Sequence, residues 1–314
     1  MFLQGQKVGK YKIIRSLGSG GFGSVYLAKD TWLNTDVAIK VPHKQSTELF
    51  KLLKEPRLQA ALNHPNIVRM IAADKAEKTF FMVMEYVEGE TLEKLLDDQK
   101  LLDWHIAVKY ILQIADAVNH AHSSKIVHRD LRPSNIIIDR DNAVKITDFG
   151  TSAWLNKVPY ARTRIGSPPY MAPEQFLGKA SFSSDIYSIG CIFYEMIIGR
   201  PPIFDPDPFK ILKKAQEGKI TPPRIKNSTL PKEIDRIIMR CLASKVEERY
   251  TRASEIIKSI STFKNKDFDK TEIDDIWTRI RAREQKVNNI CWNCRWPLPH
   301  KTKVCPKCGE TIEG

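Results

Sequence analysis

The prevailing spacing of apolar residues along this chain shifts near Gly89. Before that point YKIIRSL, SVYLAKD and DVAIKV alternate apolar and polar positions around glycine and an LNTD turn, the pattern of strands whose successive side chains face opposite sides of a sheet. The runs IVRMIAAD and TFFMVMEYV read as further strands, and a helical segment from about Ser46 to Leu62 precedes them. After Gly89 the apolar positions recur at three and four, in TLEKLLDDQ, in Trp104 to His122, in SFSSDIYSIGCIFYEMIIG and in LPKEIDRIIMRCLA. Strands gathered in one part and helices in the next predict the α+β class.

A hydrophobic content of 42% supports a real core for 314 residues. The longest apolar candidate, Ile186 to Ile198, is short and contains Glu195, and the N-terminal MFLQGQKVGKYK lacks an apolar signal core. No membrane span and a cytoplasmic location are therefore expected. The formal charge of +13 is diffuse except over Arg279 to Lys307, where eight cations face one acid, Glu284. Such a stretch suits an acidic protein, a nucleic acid or an acidic lipid surface, or serves as a solubilising face.

Several short motifs carry chemistry. GSGGFGSV sets Gly18, Gly20 and Gly23 between two strands, where missing Cβ atoms let the backbone approach phosphate oxygens. A dinucleotide-binding loop would open a helix instead. VAIK puts Lys40 on a strand among apolar neighbours, so the ammonium must find an anion or reach solvent. HRDLRPSN, His128 to Asn135, places an acid, two cations and an amide on a loop between the apolar runs KIV and IIID. Asp148, Phe149 and Gly150 follow, then YMAPE with Glu174 and SSDIYSIG with Asp185. Each motif has a bland alternative, a flexible hairpin, a snorkelling lysine or a solvated turn; their order and spacing together make coincidence improbable.

On those motifs, residues from about Lys10 to Phe263 resemble a eukaryotic-type protein kinase domain of the Ser/Thr class. The resemblance implies two lobes, an N-lobe of about residues 1–84 and a C-lobe of 89–263 joined by a hinge at 85–88, with ATP between them. It implies that Lys40 holds the α- and β-phosphates and pairs with Glu55. Leu17, Gly18, Gly20, Gly23, Val25, Ala38, Met84, Glu85 and Val87 would line the nucleotide site, with Met84 at the back of the adenine pocket. Asp130 would take the substrate hydroxyl proton, and Asn135 and Asp148 would hold Mg²⁺. His128 would pack and hydrogen-bond, Arg129 would receive an activation-segment phosphate, Asp185 would brace the catalytic loop, and Arg249 would pair with Glu174. The implied reaction is transfer of the γ-phosphoryl group of MgATP to Ser/Thr hydroxyls of proteins, including the chain's own activation segment. There Thr163, between Arg162 and Arg164, is the preferred acceptor, and Ser167 is a structural or substrate-contacting hydroxyl. A non-catalytic kinase-like scaffold and a nucleic-acid-associated kinase are the alternative readings.

Two positions depart from the family pattern. Arg132 stands where a lysine is usual, a planar fork in place of a compact ammonium; Arg132→Lys is expected to preserve or raise activity. Pro56 directly follows Glu55, so the helix either begins there or is kinked, and its position is expected to be a regulatory variable.

The last residues form a separate problem. Cys291, Cys294, Cys305 and Cys308 make two CxxC pairs, which resemble a zinc ribbon at 290–314 with a structural Zn²⁺ in a closed four-thiolate shell. Trp292 and Trp296 among cations suit docking to protein, the favoured partner, or stacking on nucleic acid. In the linker 264–289, Ile273, Ile276, Trp277 and Ile280 share one helical face and predict an amphipathic helix.

Overall fold

A computed structural model describes residues 2–21, 23–43, 54–76, 79–149, 167–263 and 271–287, without the side chains of 54, 55, 272 and 283–287. The described residues divide at Lys264 into two compact units. In the first, strands β1 (Lys7–Val8), β2 (Tyr11–Gly20), β3 (Gly23–Asp30), β4 (Thr35–Pro42), β5 (Met70–Ala76) and β6 (Thr79–Glu85) form an antiparallel sheet in the order β1-β2-β3-β4-β6-β5. The predicted turn after β3 holds, with Asn34 left-handed at φ 53° and the Asp30 carboxylate accepting from the Trp32 and Leu33 amides.

Strand alternation decides which side chains reach the functional face. Tyr26 and Ala28 of β3 and Val37 and Ile39 of β4 point to one side and close a core with Tyr11, Ile13, Phe81 and Val83. Their neighbours Val25, Ala38 and Lys40 therefore point to the other side. Gly23 is required by the sheet itself, because a Cβ there would stand 2.4 Å from the Val41 carbonyl oxygen.

The helix α1 (Lys54–Ala60) carries Pro56, which is buried. Residues 44–53 and the Glu55 side chain lie outside the described residues, and with them the expected Lys40–Glu55 pair; the helix as described begins at Lys54, two residues before Pro56.

The switch to helical period produces α2 (Leu92–Gln99), α3 (Trp104–Ser123), α4 (Pro173–Phe176), α5 (Phe182–Ile198), α6 (Pro208–Gln216), α7 (Pro223–Lys226), α8 (Lys232–Cys241) and α9 (Ala253–Ser261). Thr91 and Asp103 cap α2 and α3 by accepting from the Lys94 and His105 amides. The helix α5 ends at Gly199, φ 80°, where a Cβ would collide with the Lys100 carbonyl oxygen at 2.5 Å. α3 packs against α5 and α9, and Ile111, Ile114, Val118, Ile189, Ile192 and Phe193 between them are fully buried. On this helical body lies a small sheet of β7 (Gly89–Thr91), β8 (Ile136–Asp139) and β9 (Val144–Ile146). Cys191 and Cys241 are buried free thiols of the helical core.

The second unit contains α10 (Thr271–Val287), the helix predicted in the linker, with Ile273, Ile276 and Ile280 buried. Among the described residues no helix is long and apolar enough to cross a membrane.

Candidate active site

The HRDLRPSN loop is held from both ends by apolar anchors: Leu131 and Ile136 are almost fully buried and Pro133 starts a 3₁₀ turn, Pro133–Asn135. Its first residues hang on Asp185 of α5. That carboxylate accepts from the His128 amide at 2.8 Å, the Arg129 amide at 2.9 Å and His122 Nε2 at 2.8 Å. These bonds hold its carboxyl below the usual range against full burial. The Asp130 amide donates to His128 Nδ1 at 3.3 Å, which leaves Nε2 as the protonated nitrogen, donating to the Thr147 carbonyl at 3.0 Å. Both ring nitrogens are thereby engaged, one within the loop and one on the segment leading to Asp148, and the ring packs edge-on against Phe149 at 4.6 Å.

Asp130 and Asn135 converge by local geometry. Asn135 Nδ2 donates to the Asp130 carbonyl at 2.7 Å and approaches its Oδ2 at 3.4 Å. Burial pushes the Asp130 carboxyl up, while His128, Arg132 and the Ser167 hydroxyl oppose that rise. The Thr147 amide donates to the Asn135 carbonyl at 3.0 Å, which ties the segment leading to Asp148 to the same loop. Arg129 at φ 70° and Asp148 at φ 64° are both left-handed, a conformation costing roughly 1 kcal/mol or more for residues with a Cβ. The braces on each side hold them there.

The sheet delivers the fourth group. Lys40 Nζ, 3% exposed as a residue, donates to Asp148 Oδ1 at 2.8 Å across 108 residues of sequence. Ala38 lies on the same face and packs with Val68 and Met84; Val25, Met70, Val87 and Ile137 close an apolar cluster around them. Ile137 is a member that the sequence reading missed, hidden in the middle of three consecutive isoleucines. Gln59 of α1 was also missed: its Nε2 donates to the Val68 carbonyl at 3.2 Å and meets Met84 Sδ at 3.7 Å. Glu85 has its carboxylate on Lys145 Nζ at 2.8 Å and the Arg69 amide at 3.1 Å, so its side chain joins β6 to β9.

The residues present fit a magnesium nucleotide. At Gly18 and Gly20 an added Cβ would meet no protein atom within 4 Å, so packing within the chain does not require glycine there. The open face of that hairpin, which also carries the partly exposed Leu17, suits close approach of an anion to its backbone. Asn135 turns its amide nitrogen inward to Asp130, which leaves Oδ1 as a hard oxygen donor beside the Asp148 segment.

Arg132 lies two residues beyond Asp130. Its Nη1 donates to Ser167 Oγ at 2.7 Å and its Nη2 to Glu93 Oε1 of α2 at 2.9 Å. Ser167 opens a 3₁₀ turn, Pro168–Tyr170, whose Tyr170 hydroxyl donates to Glu195 Oε2 at 2.7 Å. Burial pushes the Glu195 carboxyl up to about 7; the Tyr170 bond opposes this, and Glu93 and Asp97 add to it. The folded protein thus retains a proton there that the unfolded chain releases at about pH 4.3. The contribution of Glu195 to stability is full below that pH and falls as pH rises to about 7. Glu195→Gln, neutral throughout, is expected to flatten this fall in thermal unfolding midpoints; parallel pH profiles of the two proteins would refute it.

Behind the turn, Arg249 pairs with Glu174 as expected. Thr151, Ser152, Thr163, Gly150 and the four C-terminal cysteines lie outside the described residues. Among the described residues no cluster of His, Cys, Asp or Glu is arranged to hold a metal.

Comparison with known proteins accords with this geometry. The sequence profile for the protein kinase domain matches residues 11–260. The chain is 36% identical over 286 residues to a probable serine/threonine-protein kinase of Clostridium acetobutylicum, which covers 89% of this chain and 43% of that protein. It is 33% identical over 289 residues to serine/threonine-protein kinase PrkC of Bacillus subtilis, covering 90% and 44%. Against serine/threonine-protein kinase PknB of Mycobacterium tuberculosis the identity is 33% over 260 residues, covering 79% and 42%. The chain thus spans less than half the length of these curated relatives.

Proposed function

We infer, since this chain belongs to the protein kinase family, that it transfers the γ-phosphoryl group of MgATP to serine and threonine hydroxyls of proteins. The observation that carries the reading is the Lys40–Asp148 ion pair at 2.8 Å, which brings a sheet lysine to the loop holding Asp130 and Asn135. The nucleotide and its magnesium supply the phosphoryl group and neutralise charge on its oxygens. In this reading Lys40 binds phosphate oxygens, Asn135 Oδ1 and the Asp148 carboxylate offer the metal ligands, and the cluster around Ala38 and Met84 accepts an apolar base. Asp130 orients the acceptor hydroxyl and receives its proton on a carboxylate oxygen. Ser167 and Tyr170, on the turn facing that loop, present the segment along which an acceptor peptide lies. The test is incubation of the full chain with labelled ATP and magnesium, followed by phosphoamino-acid analysis. Label on serine or threonine that vanishes with a chelator is expected; label on tyrosine alone, or none, would overturn the reading.

Modification of the chain's own activation segment at Thr163 is part of this proposal, motivated by the flanking Arg162 and Arg164. A cytoplasmic setting goes with it. The spacing of Cys291, Cys294, Cys305 and Cys308 supports a structural zinc ribbon that serves interaction or regulation. A segment so short has almost no core of its own, so the metal would supply much of its folding energy. Metal analysis of the purified chain is expected to return one zinc per chain, lost on Cys291→Ser with Cys294→Ser; a metal-free wild type rules the ribbon out.

A further inference from the structure

We propose that Glu93 is a positioning residue of the phosphoryl-transfer site, acting through Arg132 and Ser167 on the loop that carries Asp130. This rests on the kinase reading above and extends it to a residue outside the recognised motifs.

The backbone of Glu93 is set by its helix before its side chain meets Arg132. Glu93 lies in the first turn of α2, behind the Thr91 cap, beside the fully buried Leu92 and one turn before the buried Leu96. A carboxylate is favoured at that helix end. Arg132 is held far less by its own surroundings: its Nε is buried and has no hydrogen-bond partner among the described residues. The orientation of the fork therefore depends on its two terminal nitrogens, one on Glu93 at 2.9 Å and one on Ser167 at 2.7 Å. A hydroxyl has one hydrogen. When Ser167 Oγ accepts from Arg132, its own hydrogen points away from the guanidinium. The chain of contacts runs from the Glu93 carboxylate through the guanidinium to the Ser167 hydroxyl, and Arg132 itself lies two residues beyond Asp130 on the same loop. Each link sets the direction of the next.

The relay also accounts for arginine at this position. A planar fork can hold a carboxylate with one nitrogen and a hydroxyl with the other, whereas a lysine ammonium is a compact charge that serves Ser167 without needing a second anchor. Whatever activity Arg132→Lys retains should thus be independent of Glu93.

The test is a double-mutant cycle on the full chain, with peptide phosphorylation and thermal unfolding measured together. In the Arg132 protein, Glu93→Ala is expected to lower kcat about fivefold, the upper range for a partly exposed pair, with KM for ATP unchanged. Glu93→Gln, which keeps an acceptor oxygen, is expected to retain most of kcat. In the Arg132→Lys protein, Glu93→Ala is expected to change nothing. Equal loss in both backgrounds would mean that Glu93 merely supports α2, and no loss in either would mean that it positions nothing; both overturn the proposal. Nitrogen-15 arginine spectra give an activity-free reading. Restricted rotation should resolve the Arg132 Nη signals in the wild type, and Glu93→Ala should merge them. Unchanged signals would sink the relay. A wild type without any transfer would instead defeat the kinase reading, and the spectra would still decide the contact.

Discussion

Asp130→Asn is expected to lower phosphoryl transfer by about 10²- to 10⁴-fold while leaving the protein folded. The replacement keeps side-chain volume and removes the oxygen that receives a proton. The strongest contact tying Asp130 to Asn135 uses the Asp130 backbone carbonyl at 2.7 Å, so it survives the change. The loop also keeps its Asp185 braces and its Leu131 and Ile136 anchors. Lys40, Asn135 and Asp148 are untouched, so KM for ATP should stay near the wild-type value and the loss should fall on kcat. Steady-state kinetics beside a thermal unfolding curve check this. A variant that turns over at the wild-type rate would remove Asp130 from the chemistry.

Arg249→Met is expected to destabilise the fold by about 3–5 kcal/mol, because it breaks a buried ion pair from one side. The guanidinium has no exposed surface, and all of its donors are used. Nε donates to the Ala243 carbonyl at 2.8 Å; Nη1 donates to Glu174 Oε1 at 2.8 Å and to the Ser183 carbonyl at 3.0 Å. Nη2 donates to Glu174 Oε2 at 3.0 Å and to the Ser244 carbonyl at 3.1 Å. Methionine fills part of the volume, but it takes a donor from the Ala243, Ser183 and Ser244 carbonyls and leaves Glu174, 14% exposed, with the Ser184 hydroxyl at 2.7 Å as its remaining side-chain partner among the described residues. For a domain of this size the unfolding midpoint should drop by about 10 °C. Adding Glu174→Gln should recover part of the loss, since the stranded charge goes with it. A fall below about 1 kcal/mol would show that water reaches the site and that the pair is weaker than its burial implies.

These two residues differ in how they could be found. Asp130 was legible because its neighbours along the chain are its neighbours in space: a six-residue stretch holds both it and Asn135, and the apolar flanks announce a rigid loop. Lys40 was legible as a lysine in need of an anion, and alternation along β4 was enough to put it on the same face as Ala38. Arg249 and Asp185 were named through the family resemblance, and their burial and partners came from packing. Glu93, Ile137 and Gln59 carried no signal. A first-turn glutamate is ordinary helix chemistry, an isoleucine in a run of isoleucines is ordinary core, and a glutamine on an amphipathic helix is ordinary surface.

By itself the sequence determined the division into a sheet and a helical body, the loop that pairs an acid with an amide, and the turns and caps between elements. Hydrophobic period, glycine and capping side chains act within a few residues, so a linear reading captures them. The tertiary structure alone decided which distant groups meet: Lys40 with Asp148, Glu85 with Lys145, and Arg132 with both Glu93 and Ser167. Those pairings depend on how a twisted sheet seats against packed helices. A long charged side chain then takes whichever partner that packing brings within hydrogen-bonding distance, and local sequence does not encode the choice.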